Sequence, residues 1–164
     1  MDRRSYGAKY DRNLDVKEIA KRIRADLKAA VKDGKLPAAK FGVRIDRFSG
    51  GCSIDVAIGG VAHAMNPVRQ VVCSRFHDYL DAHYAPPHSA LGADVMKQVE
   101  AIVAAYNHDG SDIQSDYFDV NFYSHVNFTS EVHDADRAEA LALYDAGCAK
   151  LGDPNGLDFR RNPY

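Results

Sequence analysis

The sequence predicts an α+β fold: a small antiparallel β-sheet of about three strands, with a central β-hairpin, packed against several α-helices. Three observations carry this expectation. A helical period runs from Asp15 to Gly34, two alternating runs flank RFSGG at 47–51, and a longer alternating run fills DYFDVNFYSHVNF at 116–128. A chain of 164 residues is long enough to close one hydrophobic core without a metal or disulfide, since a domain of about 150 residues buries roughly 70% of its unfolded surface.

The first helix opens at LDVKE. With Asp15 as N-cap, Glu18 falls where a capping box needs it, and Leu14 and Ile19 stand where a hydrophobic staple would place them. Val16, Ile19, Ile23, Leu27 and Val31, with Ala20 and Ala30, then recur at three- and four-residue spacing until Gly34, and Pro37 prevents resumption.

In the hairpin, Phe41, Val43 and Ile45 alternate with Lys40, Gly42, Arg44 and Asp46, and Ile54, Val56 and Ile58 alternate with Ser53, Asp55 and Ala57. Pairing Ile45 with Ile54 and Val43 with Val56 keeps the apolar sets on one face. The same register sets Arg44 opposite Asp55, the geometry of an ion pair. FSGG at 48–51 reads as a four-residue turn in which Gly50 or Gly51 supplies a positive φ. A phosphate-binding loop would instead lead from strand into helix and carry a following Lys-Ser/Thr. A second reading of the turn keeps a weak anion site, formed by Arg44 and Arg47 with the amides of Ser49, Gly50 and Gly51.

Asn66-Pro67 signals a second helix through Val68, Val72, Phe76, Tyr79 and Leu80, ended before APPHSALG. A third helix carries Val95, Met96, Val99, Ile102, Val103 and Tyr106 and stops at 107–110. In the last alternating run Phe118, Val120, Phe122, Val126 and Phe128 share the core face, and Tyr117, Asp119, Asn121, Tyr123, His125 and Asn127 share the other. A final helix starts at Thr129 or Ser130 and runs through Leu141, Leu143 and Tyr144. The expected organisation is a flexible segment over 1–13, one α+β domain over 14–151 and a loose tail over 152–164.

Lys+Arg 21 against Asp+Glu 23 gives a net charge of -2, so bulk charge does not point to nucleic acid and a local patch would be needed. Cys52, Cys73 and Cys148 are odd in number and widely spaced, as expected in a reducing compartment. No apolar run reaches the roughly 20 residues of a membrane helix, and the charged start lacks a signal-peptide core. A cytoplasmic protein with no membrane partner is expected.

IRADLK at 23–28, FGVRIDRFSGGCSIDVAI at 41–58 and VEAIVAAYNHDGSD at 99–112 resemble the large polyvalent-protein-associated domain of type 29, a small domain of phage and conjugative-element proteins. The resemblance covers Val16 to Phe128 and departs over 60–92, which reads as an inserted helical segment. It implies a mobile-element protein at work in the cytoplasm of a bacterial host, and it supplies no catalytic residues.

Two surfaces compete as binding sites. On the polar sheet face, Tyr117, Asn121, Tyr123 and His125 stand beside Lys40, Arg44 and Ser53, joining stacking, hydrogen-bonding and cationic groups. A helix covering that face would instead make its tyrosines a second layer of core. On the first helix, Lys17, Lys21, Arg24, Lys28 and Lys32 fall within about 80° of arc, a basic stripe diluted by Glu18, Asp26 and Asp33.

Metal chemistry has weaker support. His77 with Asp81, His83 with His88, and His133 with Asp134 and Asp136 each offer part of a site without HExxH or paired-cysteine spacing. Cys52 and Cys73 sit at apolar positions, as small buried hydrophobes do. Asp55 with Asp119 would make a two-carboxylate site only if Asp55 were free of Arg44. The expectation is therefore a non-enzymatic binding module with no cofactor or metal. A host protein leads as partner, nucleic acid is the alternative, and a metal-dependent hydrolase is third. The oligomeric state is left open.

Overall fold

The chain forms four helices and five strands among residues 5–75, 86–111 and 119–146, the part described by the computed structural model, and two of the strands, of two residues each, were not indicated by any periodicity. The α+β class with a small sheet and a central hairpin is as expected. The elements fall into two compact units, one within Met1–Ile58 and Met96–Asn127, the other within Gly59–Val95 and Phe128–Tyr164.

In the first unit, strand β1 (Ser5–Tyr6) is followed by helix α1 (Val16–Lys32). Ile19, Ala20, Ile23, Leu27 and Ala30 are its buried face, while Val16 and Val31 are half-buried. The Asp15 side chain makes no capping hydrogen bond. Glu18 turns instead to Lys21 and Arg22, at 3.4 Å from each, and Asp15 faces Arg47 at 3.9 Å. The expected capping box is therefore not formed, because cationic neighbours compete for both carboxylates. Gly34 ends the helix at φ +71°, a left-handed conformation that glycine adopts without Cβ strain.

Helix α1 packs on strand β2 (Lys40–Phe48), which is joined to strand β3 (Gly51–Gly59) by Ser49 and Gly50 alone. The turn is thus two residues, not four: Phe48 and Gly51 belong to the strands. Gly50 supplies the positive φ, +99°. A Cβ on Gly51 would lie 3.3 Å from the Phe48 ring, and one on Gly42 would lie 3.7 Å from Ala57. Both contacts fit the register that sets Ile45 against Ile54 and Val43 against Val56. Val43, Ile54, Val56 and Ile58 are buried and Ile45 is half-buried.

The third strand of the sheet is β5 (Tyr123–Phe128), beside β3 in the order β2-β3-β5. Cys52 meets the Asn121 carbonyl and Asp55 meets His125, so the contacts advance together along both chains and β5 runs parallel to β3, where an antiparallel third strand was expected. A parallel neighbour needs a long crossover, and residues 60–122 provide it. The strand is shorter than the alternation from 116 suggests; 112–118 lie outside the described residues. Upstream of Tyr123 the backbone turns to strand β4 (His108–Asp109), which itself pairs antiparallel with β1. The Asn107 amide donates to the Phe122 carbonyl at 2.8 Å and its oxygen accepts from the Phe122 amide at 3.2 Å; Asp109 bridges Val120. Local hydrogen bonding therefore competes with the sheet for this segment. Phe122 is buried, whereas Val120 is half-buried.

Residues 5–10, expected to be a flexible lead-in, are held by this unit. Gly7 donates to the Asn107 carbonyl and Lys9 to that of Ala105, at 2.9 and 2.7 Å. The Lys9 ammonium also pairs with Asp26, and Tyr106 donates its hydroxyl to the same carboxylate at 2.7 Å.

The second unit contains helix α2 (Pro67–Arg75), the start of helix α3 (Ala90–Ala104) and helix α4 (Ser130–Asp145). Asn66 caps α2 as expected: its fully buried side-chain oxygen accepts from the Val68 amide at 3.0 Å. Val68 and Val71 are buried, and α2 packs on α4. Phe76, Tyr79 and Leu80, placed in the second helix from the sequence, lie outside the described residues. Helix α3 is capped by Ser89, whose hydroxyl oxygen accepts from the Gly92 amide at 3.0 Å. Val95, Val99, Val103 and Tyr106 are buried, and Met96 and Ile102 half-buried. In α4 the buried face is Val132, Asp136 and Ala140; Leu143 and Tyr144 are exposed.

Candidate binding face of the sheet

Alternation along a strand decides which side chains can share a surface. In β2 the odd residues Val43 and Ile45 turn toward the core, so the even residues Lys40, Arg44, Asp46 and Phe48 turn outward, and all four are exposed. In β3 the outward set is Gly51, Ser53, Asp55 and Ala57; in β5 it is Tyr123, His125 and Asn127, all three exposed. The polar side of the sheet is therefore open along β2 and β5, whereas in β3 Asp55 is half-buried and Ser53 is buried. Tyr123 is 40% exposed and Phe48 48%, so neither is a second layer of core.

Phe48 and Tyr123 come together here, with ring centroids 5.9 Å apart and planes inclined at 42°, a geometry favourable for paired aromatics. The sequence reading assigned Phe48 to the turn and missed it as a surface residue. Its even position, continuing Lys40, Gly42, Arg44 and Asp46, was the available signal.

Beside the rings, the Asp55 carboxylate holds His125 Nδ1 at 2.9 Å and accepts the Ser53 hydroxyl at 3.1 Å. The expected Arg44–Asp55 ion pair is replaced by these contacts, and Arg44 is left exposed with no ion-pair partner among the described residues. Ser53, Asp55 and His125 do not form a nucleophilic triad. The carboxylate lies between hydroxyl and imidazole, so no base is hydrogen-bonded to the hydroxyl. Asn121 is half-buried, and its side-chain amide nitrogen is buried without a hydrogen-bond partner.

Arg47 does not join Arg44. It has the opposite parity and reaches Asp15 at the start of α1, so the two arginines do not converge with Ser49, Gly50 and Gly51 on one anion. Tyr117 lies outside the described residues. The basic stripe of α1 is exposed throughout, but Arg24 donates its guanidinium to the Val43 carbonyl and Lys21 pairs with Glu18. Arg24 thereby covers part of the outer edge of β2. Lys17, Lys28 and Lys32 have no ion-pair partner among the described residues.

The two-carboxylate arrangement is not assembled either, since Asp119 is engaged by His108 at 3.2 Å and Asp55 by His125. Cys52 and Cys73 are half-buried free thiols. His77, Asp81 and His83 lie outside the described residues, and the His88 ring packs against Phe128, centroids 5.5 Å apart. No helix among the described residues is long and apolar enough to cross a membrane.

Comparison with known proteins leaves the site to stand on its own geometry. No family model, curated protein or solved structure matches the chain.

Proposed function

We propose that this chain is a non-enzymatic binding module that recognises a partner protein through the outward face of β2, β3 and β5. The observation that carries the reading is the exposed Phe48–Tyr123 pair, seated over Gly51 and flanked by Arg44, Asp46 and the His125–Asp55 pair. Aromatic and arginine anchors within a rim of mixed charge are the make-up of a protein interface. A nucleic-acid face would carry a stronger excess of cations. The resemblance to the mobile-element domain adds a setting: a phage or conjugative-element protein in the cytoplasm of a bacterial host, acting on a host protein in takeover or counter-defence.

The second reading is single-stranded nucleic acid, favoured by the same two rings, since exposed aromatics on a sheet stack on bases. One experiment separates the two. The chain and its Phe48→Ala/Tyr123→Ala double variant are used for affinity capture from bacterial lysate, with and without nuclease. The proposal expects a protein captured by the parent chain, lost with the double variant and indifferent to nuclease. Capture abolished by nuclease, with affinity falling steeply as salt rises, would establish the second reading instead.

A further inference from the structure

His63, Asp136 and Glu139 are far apart in sequence, and only the fold of the second unit brings them together. Each presents a ligand atom, and the three atoms lie within 4.8 Å of one another. From this geometry we propose a divalent transition-metal site made of the His63 imidazole and the carboxylates of Asp136 and Glu139, with water completing the coordination. Imidazole nitrogen with two carboxylate oxygens is a donor set suited to Zn²⁺ and its neighbours. The site shares no residue with the sheet face and does not depend on the binding function proposed there.

Each ligand is presented in a different way. Asp136 and Glu139 are three residues apart on α4, one turn of the same helical face. Asp136 is only 7% exposed, and its two oxygens accept the amides of His63 at 2.9 Å and Met65 at 2.8 Å. Those bonds fix the carboxylate while leaving it further lone pairs, as the hydrogen bonds around a metal-bound carboxylate do. His63 has a left-handed backbone, φ 58°, uncommon for a residue with a side chain. Ser89 holds that conformation by donating to the His63 carbonyl at 2.6 Å and, through its amide, to that of Ala64 at 2.9 Å.

The His63 side chain is 69% exposed and that of Glu139 50%, so an ion reaches the site directly from water. Their mutual contact, Nδ1 to Oε2 at 3.2 Å, is the separation two ligands of one metal adopt, and the ion would replace the proton between them. His133, which the sequence grouped with Asp136, is not part of the cluster.

Calorimetric titration of the full chain with Zn²⁺ at neutral pH tests the site, together with His63→Asn, Glu139→Gln and the control His133→Ala. Asn tolerates a left-handed backbone, and His63 and Glu139 are exposed, so both variants should fold; thermal unfolding without metal checks this. The expected result is one Zn²⁺ per chain, bound unchanged by His133→Ala and weakened at least about tenfold by each of the other two, the effect that changes just outside a ligand set already produce. Zn²⁺ should also raise the unfolding temperature of the parent chain but not of His63→Asn. Absence of binding, or equal binding by the parent chain and the two ligand variants, overturns the proposal and leaves His63–Glu139 as a surface contact between two side chains.

Discussion

Phe48 and Tyr123, from the two strands that flank β3, approach across Gly51, where a Cβ would stand 3.3 Å from one ring and 3.6 Å from the other. Glycine at that position lets two exposed aromatics share a surface, and the pair defines the centre of the proposed interface.

Loss of either ring should therefore weaken partner binding with little effect on folding. Tyr123→Ala or Phe48→Ala is expected to cost about 2 kcal/mol or more of binding energy, as anchor residues do, and to change stability by about 0.5 kcal/mol or less, as exposed sites do. Arg44→Glu should act in the same direction. The paired reversals Lys21→Glu and Lys28→Glu should matter less, and the captured partner's dissociation constant for each variant decides. Binding lost only with the helix reversals would move the site to α1.

The adjacent glycines should behave differently. Gly50 has φ +99° and open space around it, so Gly50→Val is expected to destabilise the fold by about 1–2 kcal/mol through backbone strain alone. Gly51 has no such strain. Gly51→Ala should leave the chain folded but press on the Phe48 ring and lower partner affinity. Denaturant melts and binding curves for the two variants separate these effects.

The core of the first unit rests on residues whose burial the periodicity already indicated. Leu27 and Phe122 are each 1% exposed, and replacing either by Ala should cost about 2–5 kcal/mol, the range for a cavity in a packed interior. Unchanged unfolding free energy in either variant would contradict the packing described.

The Lys9–Asp26–Tyr106 cluster should give stability a pH dependence at both extremes. Burial alone would raise the Asp26 carboxyl, but hydrogen bonds from Lys9 and Tyr106 outweigh it and hold the group below its usual 3.8. Its contribution is present above that value and is lost as pH falls through the lower folded-state value. Burial, then the hydrogen bond to Asp26, raises the Tyr106 hydroxyl above 10.0, and the hydrogen bond to Asp26 raises Lys9 above 10.5. Those contributions are complete below the usual values and disappear as pH rises through the folded-state ones. Asp26→Asn should flatten both limbs relative to the parent chain in melts from pH 2 to 12.

Local chemistry made much of this architecture legible in advance. The helix from Val16 was visible in the spacing of Ile19, Ile23 and Leu27, because a 3.6-residue period repeats wherever a helix buries one face. The hairpin register was visible in two alternating runs, since a slip of one residue would expose the whole apolar set. Asn66-Pro67 announced α2 because cap and proline act within a single turn.

Tertiary structure decided the rest. The Asp15–Glu18 capping box was a correct local pattern that Arg47, Lys21 and Arg22 outcompeted. The third strand began late because Asn107, distant in sequence, supplied hydrogen bonds to Phe122. Asp55 found His125 in place of Arg44, and His63 reached Asp136 and Glu139, only after chain crossovers of about 70 residues. The sequence by itself determined the helices, the hairpin and the buried faces of α1 and the hairpin, which depend on spacing within a few residues, but not β1, β4 or the buried face of α4. Which polar side chains meet depends on strand order and helix packing, and single-sequence periodicity carries no record of either.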